Sequence, residues 1–76
     1  ERVTLGRAPE NQVVLRDERA SRFHAEVFAS GSVWMARDLE SRNGTIVAGE
    51  RIAVDRPLVP GDVLRIGLAE ITFCEG

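Results

Sequence analysis

The sequence contains no lysine and no tyrosine, and it has a single cysteine and a single histidine. One cysteine, Cys74, excludes an internal disulfide, and together with one histidine, His24, it excludes the usual zinc sites with four protein ligands. No apolar run approaches the length of about 20 residues that a membrane-spanning helix needs, and no signal peptide is visible. We therefore expect a domain without metal or cofactor, located in the cytoplasm or, in a eukaryote, in the nucleus.

The chain has 76 residues, of which 43% are hydrophobic, so it is long enough for one small globular domain. It starts at Glu1, without a methionine and directly before an apolar run. We interpret residues 1–76 as a single domain of a longer protein. The net charge of −2 argues against general nucleic-acid binding. All ten basic residues are arginine, whose planar guanidinium suits phosphate and carboxylate groups.

Short apolar or alternating runs, separated by Gly, Pro, Asp, Asn and Ser, predict many short strands and no helix. Residues 23–29 alternate, with Phe23 on one face and His24 on the other, and a hairpin turn follows at 30–32. Breaks are expected at Pro57 and at 60–62. The pattern predicts an all-β sandwich or barrel. The predicted strands are 3–5, 12–15, 23–29, 33–39, 45–47, 51–54, 63–66 and 69–75.

Three predicted loops differ from the other connections. They cover residues 6–11, 16–22 and 40–44, and they are longer and rich in Arg, Ser and Asn. The turns at 30–32 and 67–68 are interpreted as simple connectors. Because loops of a rigid β-sandwich usually carry its binding residues, we expect a binding site at the three polar loops.

Four motifs in this order resemble the forkhead-associated (FHA) domain: LGR at 5–7, SRFHA at 21–25, DLESRNGT at 38–45 and PGD at 60–62. The resemblance covers nearly the whole chain. It implies an all-β sandwich of the SMAD/FHA-like type that binds phosphothreonine peptides through loops at one end. The family sandwich begins with a strand or two before the Gly-Arg pair, whereas this chain has only Glu1 and Arg2 before Val3. Either the domain is trimmed at this point, or the sandwich lacks its first strand or two and has an open edge that can pair with another chain.

The resemblance assigns the phosphate contacts to Arg7 and to the hydroxyl and neighbouring backbone of Ser21. A phosphate carries a charge of about −1.5 to −2 and three acceptor oxygens, so it requires such donors. Arg22 and Arg42 either add phosphate contacts or face solvent. Asn43 matches the family residue that binds the peptide backbone, and its amide suits unpaired backbone groups.

Further residues match positions that shape the loops or select the peptide. Gly6, His24 and Gly44 are interpreted as loop scaffold, with His24 hydrogen-bonded to loop backbone. Arg19 matches a position that reads the residue three after the phosphothreonine, and we expect it to favour an acidic residue there. Glu18 beside it would weaken that preference.

Two other functions compete with this interpretation. A hydrolase would use Ser21 and His24 with Asp38 or Asp62, but the Gly-x-Ser-x-Gly motif is absent. The pair would also emerge on opposite faces of the predicted strand. A protein-interaction domain of the same fold that does not depend on phosphorylation is the main alternative.

The expected partner is a protein or peptide that contains phosphothreonine, in another chain or in the same one. A Ser/Thr protein kinase is implied upstream. We expect no enzyme activity and no binding to nucleic acid or membrane, and the sequence leaves the oligomeric state open.

Overall fold

The computed structural model describes residues 1–74. In that range it contains nine short strands and no helix. No helix of sufficient length and hydrophobicity to cross a membrane is found in that range. The strands are β1 (Arg2–Gly6), β2 (Val13–Val14), β3 (Ala25–Ser30), β4 (Val33–Asp38), β5 (Ile46–Val47), β6 (Glu50–Arg51), β7 (Arg56–Leu58), β8 (Val63–Ile66) and β9 (Ala69–Thr72).

The strands form two sheets. One has five strands in the order β2-β1-β3-β4-β7, and the other has four in the order β6-β5-β8-β9. All pairs are antiparallel except β1 with β2, which run parallel with Leu5 opposite Val13. The predicted all-β sandwich is confirmed.

The core lies between the sheets, because alternate side chains of each strand point inward. One buried cluster lies near the ends of β1 and β8 and includes Leu5 and Ile66, and the other includes Val47 and Leu64. Val27 packs against both clusters and joins them. The core therefore supports both ends of the sandwich.

Several local predictions need correction. Pro57 does not break the chain but lies inside β7, at the edge of its sheet, where a missing N–H is tolerated. Strand β3 begins only at Ala25, so the alternation does not extend back to Phe23. Phe23 is 48% exposed, whereas His24 is fully buried. Glu75, at the end of the last predicted strand, lies outside the described residues.

The edges of the two sheets differ in how they are covered. In the first sheet, Gln12 directly precedes the short strand β2. Its side-chain oxygen accepts hydrogen bonds from the backbone N–H and the hydroxyl of Thr4 in β1, at 2.9 and 2.6 Å. Among the described residues, β9 pairs only with β8. An apolar cavity of about 280 Å³, lined by residues that include Val3 and Ile71, lies between the sheets on this side. Pairing of this edge with another chain stays a prediction.

Candidate functional site

The three polar loops meet at one end of the sandwich. They are the β1–β2 loop (7–12), the β2–β3 loop (15–24) and the β4–β5 loop (39–45). Antiparallel pairing brings the end of β1 beside the start of β3 and the end of β4, with Leu5 opposite Ala25 and Ala25 opposite Asp38. The loops are therefore neighbours because of strand register.

Backbone hydrogen bonds join the β1–β2 loop to the β2–β3 loop. The N–H of Arg7 donates to the carbonyl of Ser21 at 2.9 Å, and the N–H of Ala8 donates to that of Arg22 at 3.0 Å. Gly6 permits this approach, since a Cβ at this position would lie 2.2 Å from the Arg22 carbonyl oxygen. Any side chain at position 6 would push the two loops apart.

Arg7 is exposed and held at its base. Its Nε donates to the carbonyl of Ala20 at 3.1 Å, which leaves the two terminal nitrogens of the guanidinium without a partner among residues 1–74. No carboxylate in that range lies within ion-pair distance of Arg7. The side chain is thus fixed in direction while its charge remains available.

Ser21 lies beside Arg7 and connects to the β4–β5 loop. Its hydroxyl oxygen accepts a hydrogen bond from the Arg42 backbone N–H at 3.1 Å. Because this bond uses the oxygen as acceptor, the hydroxyl hydrogen is free to be donated elsewhere. Ser21 can therefore donate to an anion at this surface.

His24 bridges two of the loops. Its Nδ1 lies 2.9 Å from the Ser21 backbone nitrogen, and its Nε2 lies 2.8 Å from the Gly44 carbonyl oxygen. The first partner can only donate and the second can only accept, so Nδ1 accepts from Ser21 and Nε2 donates to Gly44. The backbone N–H of Ser21 is consequently occupied within the chain, and only its hydroxyl faces outward.

Contrary to the expectation that they would lie on opposite faces, Ser21 and His24 are in direct contact. The carbonyls of Ser21 and Arg22 accept hydrogen bonds from the β1–β2 loop, and strand β3 begins only at Ala25, so the regular alternation of a strand does not apply to these residues. The imidazole meets the Ser21 backbone and not its hydroxyl. This geometry does not form a nucleophile–base pair.

Asp38, the last residue of β4, holds the β4–β5 loop in place through hydrogen bonds. Its carboxylate accepts hydrogen bonds from the backbone N–H and the hydroxyl of Ser41 and from the hydroxyl of Thr45. Burial alone would raise the pKa of Asp38, but these hydrogen bonds outweigh burial and hold the pKa below its usual value. Asp38 is thus an ionised structural group.

The tip of the β4–β5 loop carries Asn43 and Gly44. Gly44 has φ of 88°, and the Arg51 guanidinium occupies the space that a Cβ would need, with its Nε at 2.4 Å from that position. The side-chain nitrogen of Asn43 donates to the Arg19 carbonyl at 2.8 Å. Its side-chain oxygen remains as an acceptor for an N–H group from outside.

Three exposed arginines of this end carry charge that is not neutralised by a neighbouring carboxylate. Arg22 and Arg42 are exposed like Arg7, and none of the three forms an ion pair within the described residues. Four other arginines are in ion pairs with carboxylates. These are Arg2, Arg19, Arg37 and Arg56.

The turn at Gly67–Leu68 was predicted to be a simple connector, and that prediction is wrong. The N–H of Leu68 donates to the carboxylate of Asp17 at 2.8 Å, so the turn belongs to the loop end of the molecule. Asp17 also accepts from the Arg19 backbone and side chain at 2.9 and 3.2 Å. These bonds, with that from Leu68 the strongest, lower the pKa of Asp17.

Sequence reasoning missed Asp17 and Asn11, which both hold loops in place. Asp17 bonds to a residue 51 positions away, which no local pattern indicates. Asn11 is 5% exposed, and the sequence contains no signal for the burial of an asparagine in a polar loop. No group of His, Cys, Asp and Glu among the described residues is arranged to hold a metal ion.

Comparison with known proteins agrees with this architecture. The model of the FHA domain family matches residues 3–67, and the chain belongs to that family. FHA domains are phosphopeptide-binding modules.

The relatives include a mycobacterial ABC transporter protein and a mycobacterial transcriptional regulatory protein. The chain is 40% identical over 75 residues to the ABC transporter ATP-binding/permease protein Rv1747 of Mycobacterium tuberculosis, covering 97% of this chain and 8% of that protein. The structure of M. tuberculosis EmbR in complex with a low-affinity phosphopeptide is similar with a TM-score of 0.91 and 37% identity, covering 96% of this chain and 19% of the other. The chain therefore spans a small part of these relatives.

A further structure, from work on phosphothreonine-dependent FHA domain interactions, is similar with a TM-score of 0.89 and 35% identity. It covers 99% of this chain and 77% of the other.

Proposed function

We propose that this domain binds phosphothreonine in a partner protein and that its three polar loops form the binding surface. The observation that carries the proposal is the pair formed by Arg7 and Ser21. Arg7 presents free guanidinium nitrogens next to a hydroxyl whose hydrogen is free. Hydrogen bonds from a guanidinium or a hydroxyl to phosphate oxygens are charge-assisted and therefore stronger than those between neutral groups.

Arg22 and Arg42 flank this pair and add positive charge, since neither is neutralised by a carboxylate within residues 1–74. Asn43 accepts a backbone N–H of the bound peptide through its side-chain oxygen, while its nitrogen stays on the Arg19 carbonyl. Gly6, His24 and Gly44 hold the loops in the geometry that these contacts require. The relatives support the proposal, because EmbR has been studied in complex with a phosphopeptide.

Recognition of this kind is reversible and involves no chemistry on the ligand. A Ser/Thr kinase phosphorylates the partner, or another part of the same protein, and the loops then capture that segment. The domain acts in the cytoplasm and needs no cofactor, nucleic acid or membrane.

The test is a titration of a labelled phosphothreonine peptide library and of its unphosphorylated twin. Preferential binding of the phosphorylated library is expected. Inorganic phosphate added as a competitor should abolish this preference, because it would occupy the same anion site. Equal binding of the two libraries would contradict the proposal and indicate the interaction domain that does not depend on phosphorylation.

A further inference from the structure

Asn11 makes an unusual set of contacts between the loops. Its side-chain nitrogen donates to the carbonyl of Ala8 and to the carbonyl of Arg22, both at 2.8 Å. Both partners are acceptors only, which fixes the orientation of the amide. One nitrogen therefore ties the β1–β2 loop to the β2–β3 loop.

These two loops contain the two halves of the proposed phosphate site. Ala8 follows Arg7 directly, and Arg22 follows Ser21 directly. The Arg22 carbonyl accepts from the Ala8 backbone N–H as well as from Asn11. The amide thus completes a closed set of hydrogen bonds that fixes the separation of Arg7 and Ser21.

The oxygen of the same amide has no such role. It is buried and has no hydrogen-bond partner among residues 1–74. A buried acceptor without a partner destabilises the folded state, so Asn11 is an unfavourable choice for stability alone. Unsatisfied groups of this kind are expected where a residue is kept for function.

Few other side chains could supply the same donors. Aspartate has no N–H, serine and threonine have one donor each, and glutamine is one methylene longer. Leucine has a similar size but no donor at all. Asparagine is the shortest side chain with two N–H donors on one atom. Its oxygen without a partner is a consequence of the need for these two donors.

We propose that Asn11 is a positioning residue for phosphate recognition, which acts without touching the peptide by holding Arg7 at the correct distance from Ser21. This inference rests on the proposed function. The inference does not extend to the neighbouring amide Gln12, which is exposed and bonded to Thr4.

The experiment compares Asn11→Leu with the matched control Gln12→Leu. We expect the affinity for a phosphothreonine peptide to fall at least tenfold in Asn11→Leu and to stay within twofold of wild type in Gln12→Leu. Urea unfolding followed by Trp34 fluorescence verifies that both variants are folded. Wild-type affinity in folded Asn11→Leu would overturn the inference.

A double-mutant cycle supplies a readout that a purely structural role would not change. If Asn11 acts through Arg7, Asn11→Leu should change affinity less than threefold once Arg7→Ala is present. Independent effects that multiply in the double variant would refute the inference. A wild-type domain that does not distinguish phosphorylated from unphosphorylated peptide would instead refute the proposed function, so the two failures are distinct.

If Asn11→Leu does not fold, the wild-type protein provides the measurement. Hydrogen exchange of the Asn11 side-chain amide, followed by NMR, should slow when phosphothreonine peptide saturates the domain, because the two loops are then held together. An unchanged exchange rate would contradict the inference.

Discussion

Ser21 and Arg42 are 21 positions apart, yet the backbone N–H of Arg42 donates to the hydroxyl oxygen of Ser21 at 3.1 Å. The bond makes the β2–β3 and β4–β5 loops one continuous surface. It also determines what Ser21 can offer a ligand, because an oxygen that already accepts leaves its hydrogen to be donated.

Ser21→Ala should therefore weaken binding of a phosphothreonine peptide by about 1.5 kcal/mol, the lower end of the range for hydrogen bonds to charged groups. Fluorescence anisotropy measures the change. Ser32→Ala, in the β3–β4 turn at the other end of β3 and β4, is the matched control and should bind as wild type does. Unchanged affinity in Ser21→Ala would mean that the hydroxyl does not contact the phosphate.

Arg7→Ala should cost about 1.5–3 kcal/mol of binding free energy, since a charged donor to the phosphate is lost. The loss should shrink as salt is raised, because electrostatic attraction is screened. Arg65→Ala removes an exposed arginine from β8, outside the loops, and controls for the change in net charge. Wild-type affinity in Arg7→Ala would show that the phosphate binds elsewhere.

Arg19 should favour a peptide with an acidic residue three positions after the phosphothreonine. Its ion pair with Asp17 at 3.2 Å competes for the same guanidinium, so we expect a preference below about 1 kcal/mol, as for exposed ion pairs. Competition between peptides with Asp and Ala at that position, in wild type and in Arg19→Ala, measures it. Equal binding of the two peptides to wild type would exclude this role.

Stability should decrease in acid partly because of Asp38. Its pKa in the folded state is lowered from the usual value, so the unfolded chain takes up the proton first as pH falls. The stabilisation is therefore complete above the unfolded pKa and is lost as pH falls through the lower, folded pKa. Urea unfolding between pH 7 and pH 3 should show a smaller decrease in Asp38→Asn than in wild type. An identical decrease would assign the acid sensitivity to other carboxylates.

Much of the fold follows from local sequence. The turn at 30–32, where Gly31 has φ of 63°, and the strand predicted after it at 33–39 give the β3–β4 hairpin correctly. The hydrogen-bonding pattern of Asp38 with Ser41 is also local. Such features depend on residues that are close in the chain, so a local sequence pattern is sufficient to determine them.

The remaining features depend on contacts between distant segments. Phe23 belongs to an alternating run, but bonds between residues 21–22 and the β1–β2 loop turn it outward. The bond from Leu68 to Asp17 brings an apparently simple turn into the site. The positions of Arg7 and Ser21 could be assigned by resemblance, whereas the partners that orient them could be seen only in three dimensions.

Most of the side chains that hold the loops together bind main-chain atoms. Asn11 binds the Arg22 carbonyl, Asn43 binds the Arg19 carbonyl, and His24 binds Ser21 N–H and the Gly44 carbonyl. Main-chain atoms are the same in nearly every amino acid. The side chains at positions 19 and 22 are therefore free to vary during evolution without loss of the frame, so ligand preference can diverge while the architecture of the site is inherited intact.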